Sequence, residues 1–221
     1  MMYTPAIDST LHVDELTQLP EFETCAADLA SHIERNPDQA VSVILMDIDG
    51  FNRVNASRGR AAGDATIMAL GQFLSDHTGG QAQVYRYGGD AFILVLGDTE
   101  KEQAFIVAES LRGDIASGNA FASDERGVQS RITVSCGVAA YPDDGHDAPA
   151  VLRKVSEGLY RAKVSGRNKA VLAREERMVT KTVHYTQGQL EGLTRLAQRE
   201  QTNEATLLRE ALDDLLRKYN S

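Results

Sequence analysis

The sequence predicts an α/β protein, with helices packed on a central sheet and a smaller unit at the C-terminal end. Three observations predict it. Short β-rich runs alternate with amphipathic stretches across residues 14–173, the order expected of helices layered on a sheet. Two apolar runs, Ala82-Gln83-Val84-Tyr85 and Ile93-Leu94-Val95-Leu96, flank Tyr87-Gly88-Gly89-Asp90. Paired glycines between strands read as a hairpin turn, because only glycine reaches φ > 0 cheaply. After residue 178 the pattern changes to a brief β-like stretch and two amphipathic helices.

The elements follow in order. Residues 21–35 read as a helix, and Val41–Met46 as a buried strand that runs into Asp47-Ile48-Asp49. Residues 62–77 form a helix with Ile67, Leu70, Phe73 and Leu74 on one face. The hairpin comes next and holds Asp90 at an exposed tip. Residues 99–116 are helical, with Ala104, Ile106, Val107 and Leu111 spaced for a core face. Arg131–Val138 is a strand, residues 148–165 a helix with Val151, Leu152, Val155 and Leu159 inward, and Lys169–Leu172 a closing strand.

The domains expected are an extension over 1–13, a main domain over 14–173, a charged link over 174–178, and a small domain over 179–221. The net charge of −9 lies entirely in residues 1–173, since residues 174–221 hold eight basic and eight acidic side chains. Such a balance disfavours wholesale electrostatic binding to nucleic acid or anionic membrane. Cys25 and Cys136 are isolated thiols without metal-ligand spacing, which points to a reducing compartment. Met1–Pro5 lacks a basic region and an apolar core, and no run approaches the ~20 residues of a membrane span. The expectation is a cytoplasmic protein.

If the strands that end at Asp47 and at the Gly88-Gly89 turn are neighbours, Asp47 and Asp90 face each other at one sheet edge. Hard divalent cations take oxygen ligands of this type, and Mg²⁺ shares them with substrate phosphates. The alternative is that Asp47 and Asp49 only terminate a strand.

In four ordered blocks, residues 14–172 resemble a GGDEF domain, the diguanylate cyclase family. Asp14-Glu15-Leu16-Thr17 resembles its opening motif. Asp47-Ile48-Asp49-Gly50-Phe51 with Asn55, Gly59, Gly63 and Asp64 forms the second block. Arg86-Tyr87-Gly88-Gly89-Asp90-Ala91-Phe92 forms the signature hairpin, and Leu159–Lys163 with Gly166-Arg167-Asn168 forms the last. The resemblance implies a nucleotidyl-cyclase palm, ferredoxin-like in topology, that joins two GTP molecules into cyclic di-GMP, one GTP per subunit of a homodimer. It implies that Asp47, Asp90 and the backbone at Ile48 hold Mg²⁺. Asn55 and Asp64 would read the guanine edge, Gly88 and Gly89 would line the nucleotide, and Lys163 and Arg167 would hold the triphosphate. Lys163 and Arg167 are four apart, so both point one way if that segment is helical. Without the resemblance, Asn55 and Asp64 read as turn formers, and Lys163 and Arg167 as a basic helix end facing the C-terminal dipole.

The departures bear on activity. The family has glutamate where this chain has Ala91, and that glutamate is the expected second metal ligand or base for the attacking 3′-hydroxyl. Alanine offers no acceptor, and loss of a general base alone costs ~10²–10⁴-fold in rate. The usual lysine, aspartate and histidine of the second block are Asn52, Ala56 and Arg60. The family's inhibitory Arg-x-x-Asp is Gly79-Gly80-Gln81-Ala82 here, so cyclic di-GMP has no high-affinity product site.

The tail, residues 178–219, resembles a ribbon-helix-helix DNA-binding domain of the Arc/MetJ/CopG type. Val183 and Tyr185 alternate with Thr182 and His184; Leu190, Leu193 and Ala197 line one helix, and Leu208, Ala211, Leu212 and Leu215 the next. So small a unit cannot bury a core alone. The resemblance implies a second chain, a strand ribbon in the major groove with Thr180, Thr182 and His184 toward the bases, and a phosphate at the helix N-terminus after a Thr202 cap. Lys181 and the lack of an arginine on the polar face depart from that family. The alternative is a helical dimerisation appendage. The function expected is a DNA-binding regulator whose inactive GGDEF domain senses a guanine nucleotide, GTP foremost. The alternatives are a weak diguanylate cyclase, with Asp49 or a water in place of the glutamate, and an interaction scaffold.

Overall fold

The computed structural model describes residues 12–118, 132–173, 182–199 and 202–219. The chain divides into two compact units, Met1–Glu175 and Glu176–Ser221.

In the first unit the elements are α1 (Phe22–Arg35), β1 (Val41–Ile48), α2 (Phe51–Arg58), α3 (Arg60–His77), β2 (Gln83–Gly88), β3 (Ala91–Gly97), α4 (Lys101–Ser117), β4 (Val134–Tyr141), α5 (Ala148–Val164) and β5 (Ala170–Leu172). The five strands form one sheet in the order β2-β3-β1-β4-β5. The first four are antiparallel to their neighbours, and β5 runs parallel to β4. This mixed, palm-like sheet is the one expected, and β1 and β3 are indeed neighbours.

The sheet is buried on both faces, which is why β1 reads as a continuous apolar run rather than an alternating one. Ile44, Met46, Ile48, Phe92 and Leu94 pack with Leu70, Phe73 and Leu74 of α3 and with Ala108 and Leu111 of α4. Val43, Leu45, Ile93 and Val95 pack on the other side with Cys25 and Leu29 of α1 and with Val151 and Val155 of α5. Each fully buried aliphatic side chain contributes roughly 1.5–3 kcal/mol to folding. Ile106, expected on the core face of α4, is instead 67% exposed.

One helix was not expected. Helix α2 follows β1 after Gly50, which turns the chain in the left-handed region at φ 67°. No residue of α2 is buried, so no apolar period betrays it. Helix α5 is capped by Asp147, whose carboxylate accepts from the Ala150 amide at 2.8 Å.

The second unit contains α6 (Gln187–Arg199) and α7 (Glu204–Tyr219). A reciprocal capping box opens α6: the Thr186 amide donates to Gln189 Oε1 at 2.9 Å, and the Gln189 amide to Thr186 Oγ1 at 3.3 Å. The Thr194 hydroxyl joins the helices by donating to Glu204 Oε1 at 2.6 Å. Two expectations are corrected here. Residues 182–186 form no strand within this chain, and the expected ribbon needs a second chain as ladder partner. Helix α7 starts at Glu204, so Asn203 rather than Thr202 precedes it; the Leu207 amide donates to the Asn203 carbonyl. Thr180 and Lys181 lie outside the described residues. Leu190, Leu212 and Leu215 are 44%, 54% and 51% exposed, so these helices leave much of their apolar faces uncovered within the unit. No helix among the described residues is long and apolar enough to cross a membrane.

Candidate active site at the β1–β3 edge

Strand β1 delivers Asp47 beside the hairpin. Asp47 pairs with Ala91 of β3 on one side and Ser135 of β4 on the other, and the Ile48 amide donates to the Asp90 carbonyl at 3.2 Å. Gly88 and Gly89 adopt φ 125° and 57°, the left-handed turn that the sequence requires. Asp90 is partly buried, not an exposed tip.

Arg86 locks this turn from within. Its guanidinium donates to the Ala91 carbonyl at 2.9 Å and to the Gly89 carbonyl, lies 5.0 Å from the centre of the Phe92 ring, and is 3.7 Å from Asp14 Oδ2. Asp14 itself caps the Thr17 amide and hydroxyl at 2.8 and 2.7 Å. The signal for Arg86 in the sequence is a single cation in a strand of buried residues.

Lys163 reaches back from α5, and its Nζ is 2.8 Å from Asp47 Oδ1. Burial raises the pKa of Asp47 above the ordinary carboxylate value, opposed by the Lys163 hydrogen bond and reinforced by the charge of Asp90. Folding therefore favours protonated Asp47; its contribution to stability is full below the unfolded pKa and is lost as pH rises through the folded pKa. Asp47→Asn should accordingly be more stable than the wild type at neutral pH; an Asp47→Asn protein of lower melting midpoint would contradict this.

Arg167 departs from the expectation. Helix α5 ends at Val164, and Arg167 sits in the following loop at φ 60°, so the pair does not share a helix face. Both nevertheless belong to one segment, and Arg167 is exposed.

Asn55 and Asp64 lie in α2 and α3, not in turns. Asn55 Oδ1 is buried without a hydrogen-bond partner. It nests on Gly63: a Cβ there would lie 1.9 Å from that oxygen. An unsatisfied buried acceptor costs ~1–3 kcal/mol, which a ligand N–H donor would offset. In the sequence Gly63 stands in the second motif block, but its close approach to Asn55 is not visible there. Gly63→Ala should expel the Asn55 side chain and weaken guanine-nucleotide binding roughly tenfold. The melting midpoint should change little, because alanine favours the helix. Unchanged affinity in a titration would sink that role for Asn55.

Asp49 is held by three hydrogen bonds. Thr133 Oγ1 and Ser135 Oγ donate to its two oxygens at 2.8 and 2.7 Å, and the Asn168 amide adds a third bond at 3.0 Å. Both of its oxygens are already hydrogen-bonded, Oδ1 once and Oδ2 twice, which orients the carboxylate toward β4 and the loop after α5.

Among the described residues no cluster of three His, Cys, Asp or Glu side chains would hold a metal ion. The Asp47 and Asp90 carboxylates still fit Mg²⁺, which keeps several waters and binds through one or two carboxylates plus phosphate. The Lys163 ammonium at Asp47 stands where positive charge is required.

The match to known proteins covers this unit. The family profile described as "Diguanylate cyclase, GGDEF domain" matches residues 11–169. The response regulator PleD of Caulobacter vibrioides is 32% identical over 160 residues, covering 72% of this chain and 35% of PleD. A diguanylate cyclase of Vibrio cholerae is 31% identical over 166 residues, 74% of this chain and 50% of that protein. The chain thus spans a third to a half of the length of these relatives. The structure of the active GGEEF domain of a Vibrio cholerae diguanylate cyclase superposes with a TM-score of 0.65 at 29% identity, over 72% of this chain and all of that one. With the profile spanning most of the chain and the sheet, hairpin and flanking helices in the same arrangement, the chain belongs to the GGDEF family of diguanylate cyclase domains.

Proposed function

We propose that this GGDEF domain binds a guanine nucleotide, GTP foremost, together with Mg²⁺, and turns it over at most slowly. The observation that carries the reading is the pairing of a retained pocket with a missing acceptor. Asn55 offers an unpartnered buried oxygen, Asp47 and Lys163 lie side by side, and position 91 holds a methyl group. Asp47, Asp90 and the Ile48 carbonyl would hold the ion, Asn55 and Asp64 would bind guanine, and Lys163 and Arg167 would take the phosphates. Mg²⁺ would neutralise phosphate charge and polarise the phosphorus centre. With the ion held at Asp47, the Lys163 ammonium, now 2.8 Å from that carboxylate, would be available to the phosphates.

The second reading is a weak diguanylate cyclase, favoured by the similarity to cyclases over residues 11–169. Its proton acceptor would be a water or Asp49, whose carboxylate accepts three hydrogen bonds. Calorimetric titration with GTP, GDP and cyclic di-GMP, alongside incubation with labelled GTP and Mg²⁺, separates the two. Binding without product above an Asp90→Ala control supports the first reading; product above that control supports the second. No binding of any of the three overturns both.

DNA binding by the tail rests on its residues alone. The capped helix pair is compatible with a ribbon-helix-helix unit completed by a second chain, but the family match stops at residue 169. A regulator of this kind should shift labelled genomic fragments at low salt, in a manner that moves with GTP. No shift leaves the helices as an interaction appendage.

A further inference from the structure

The loop that carries Arg167 is tied to three separate elements. From the turn just after β1, the Asp49 carboxylate accepts from the Asn168 amide at 3.0 Å, while Thr133 and Ser135 fix its orientation. From α4, Arg112 Nη1 donates to Asn168 Oδ1 at 2.9 Å. The same Arg112 makes a bidentate pair with Glu109, with nitrogen–oxygen distances of 2.8 to 3.1 Å. Glu109 Oε1 in turn accepts from the Ala170 amide at 2.6 Å, just beyond the loop. At its start, the Arg167 amide donates to the Ala162 carbonyl at 3.0 Å. Arg167 and Asn168 both occupy the left-handed region, at φ 60° and 48°, a conformation that non-glycine residues hold only where their surroundings impose it.

The loop backbone is therefore held at both ends, but the Arg167 side chain is not. Among the described residues no hydrogen bond or ion pair engages its guanidinium. A strained, multiply tethered backbone that presents one uncommitted cation is organised for an anion arriving from outside.

We infer that Asp49, Arg112 and Glu109 form a latch that pre-positions Arg167 for the polyphosphate of the nucleotide. This rests on the nucleotide-binding reading above. The three are positioning residues: they act through Asn168 and Ala170 and would not touch the ligand. The latch also gives Asp49 a role distinct from its neighbour Asp47, although both carboxylates leave the same strand end. Loss of such a supporting partner typically costs ~10–100-fold in the affinity that it supports, because the held side chain regains the freedom that pre-organisation had removed.

The test compares GTP with GMP on the full chain. Arg112→Gln and Asp49→Ala should each weaken GTP binding about tenfold and leave GMP binding within about twofold, since the guanine contacts lie on α2 and α3. Arg167→Ala should show the same selective loss, and adding Arg112→Gln to it should cost nothing further. A parallel loss of GTP and GMP, or losses that add, overturns the inference. Amide exchange of the ligand-free protein gives an independent readout. The Asn168 amide should exchange faster in Asp49→Ala, and unchanged protection there overturns the latch. Wild-type protein that binds no GTP, with the Asn168 amide still deprotected by Asp49→Ala, overturns the nucleotide reading and Arg167's phosphate role while the tether stands. Should Asp49→Ala fail to fold, Arg112→Gln carries the GTP-against-GMP comparison, and Asp49→Asn, which keeps the size of the side chain, carries the amide exchange.

Discussion

Ala91→Glu should raise cyclic di-GMP formation from GTP and Mg²⁺ by ~10²–10⁴-fold over the wild type, the range for restoring one proton-transfer group. The sheet register says why this single change suffices to place the group. Ile93 and Val95 of β3 pack into the α1–α5 core, and Phe92 and Leu94 into the α3–α4 core. By the same alternation Ala91 shares its face with Ile93. Asp47 shares the face of Val43 and Leu45, and Asp47 and Ala91 are register partners. Directly paired residues hold their Cβ atoms ~4.5–5.5 Å apart, so a glutamate at 91 would extend beside Asp47 and beneath Lys163. A third carboxylate at this edge should lower the melting midpoint without Mg²⁺ and make it depend more strongly on the ion, because like charges gathered there lack enough positive partners. Asp90→Ala in the same background should return product to baseline. A restored glutamate that yields no product would show that Asn52, Ala56 or Arg60 disables the site independently.

How far the sequence foretells this site depends on the range of the interactions. The order of strands and helices is legible because β1, β3 and β4 are buried throughout and write their burial directly into apolar runs. Helix α2 is not legible, since only Phe51 and Val54 of its eight residues pack against the core, and only partly buried, too few to write a period. The site residues are legible as types at motif spacing, but what each carboxylate does is not. Asp47 and Asp49 look alike in the chain, and their separation into a lysine-paired group and a loop tether arises from partners far away. Thr133, Ser135 and Asn168 lie 84, 86 and 119 residues from Asp49. The helix reading of Lys163 and Arg167 failed for a local reason: α5 stops at Val164, where Gly166 at φ 111° turns the chain. The β-like stretch near Thr182 is no strand within a single chain, because strand propensity is realised only against a partner strand.

Gly137→Ala should destabilise the protein by about 3 kcal/mol or more, the upper end of what overpacking costs and a large share of the ~5–15 kcal/mol that holds a domain folded. Gly137 sits in β4 between Leu45 of β1 and Val171 of β5, under helix α5. A Cβ there would lie 2.1 Å from the Val155 carbonyl oxygen and 2.4 Å from the Leu159 amide nitrogen. Both are backbone atoms in the middle of a helix, so no rotamer change relieves the clash and α5 as a whole must move. Gly158 faces it from the helix, where a Cβ would meet the Val171 carbonyl at 3.1 Å and the Gly137 Cα at 3.2 Å. Helix and sheet thus touch backbone to backbone at a glycine pair, and this close seat sets the height at which Lys163 meets Asp47. Gly158→Ala should be far milder, because the gain of ~1 kcal/mol in helix propensity opposes a clash that a few tenths of an ångström relieve. Gly113, within α4 and with nothing near its missing Cβ, completes the series: Gly113→Ala should stabilise by about 1 kcal/mol. Urea midpoints at unchanged slope measure all three, and the predicted order is Gly113→Ala above wild type, Gly158→Ala near it, and Gly137→Ala far below. A Gly137→Ala protein as stable as the wild type would mean that α5 can ride away from the sheet. Lys163 should then lose its place beside Asp47, and guanine-nucleotide affinity should fall even though the fold survives.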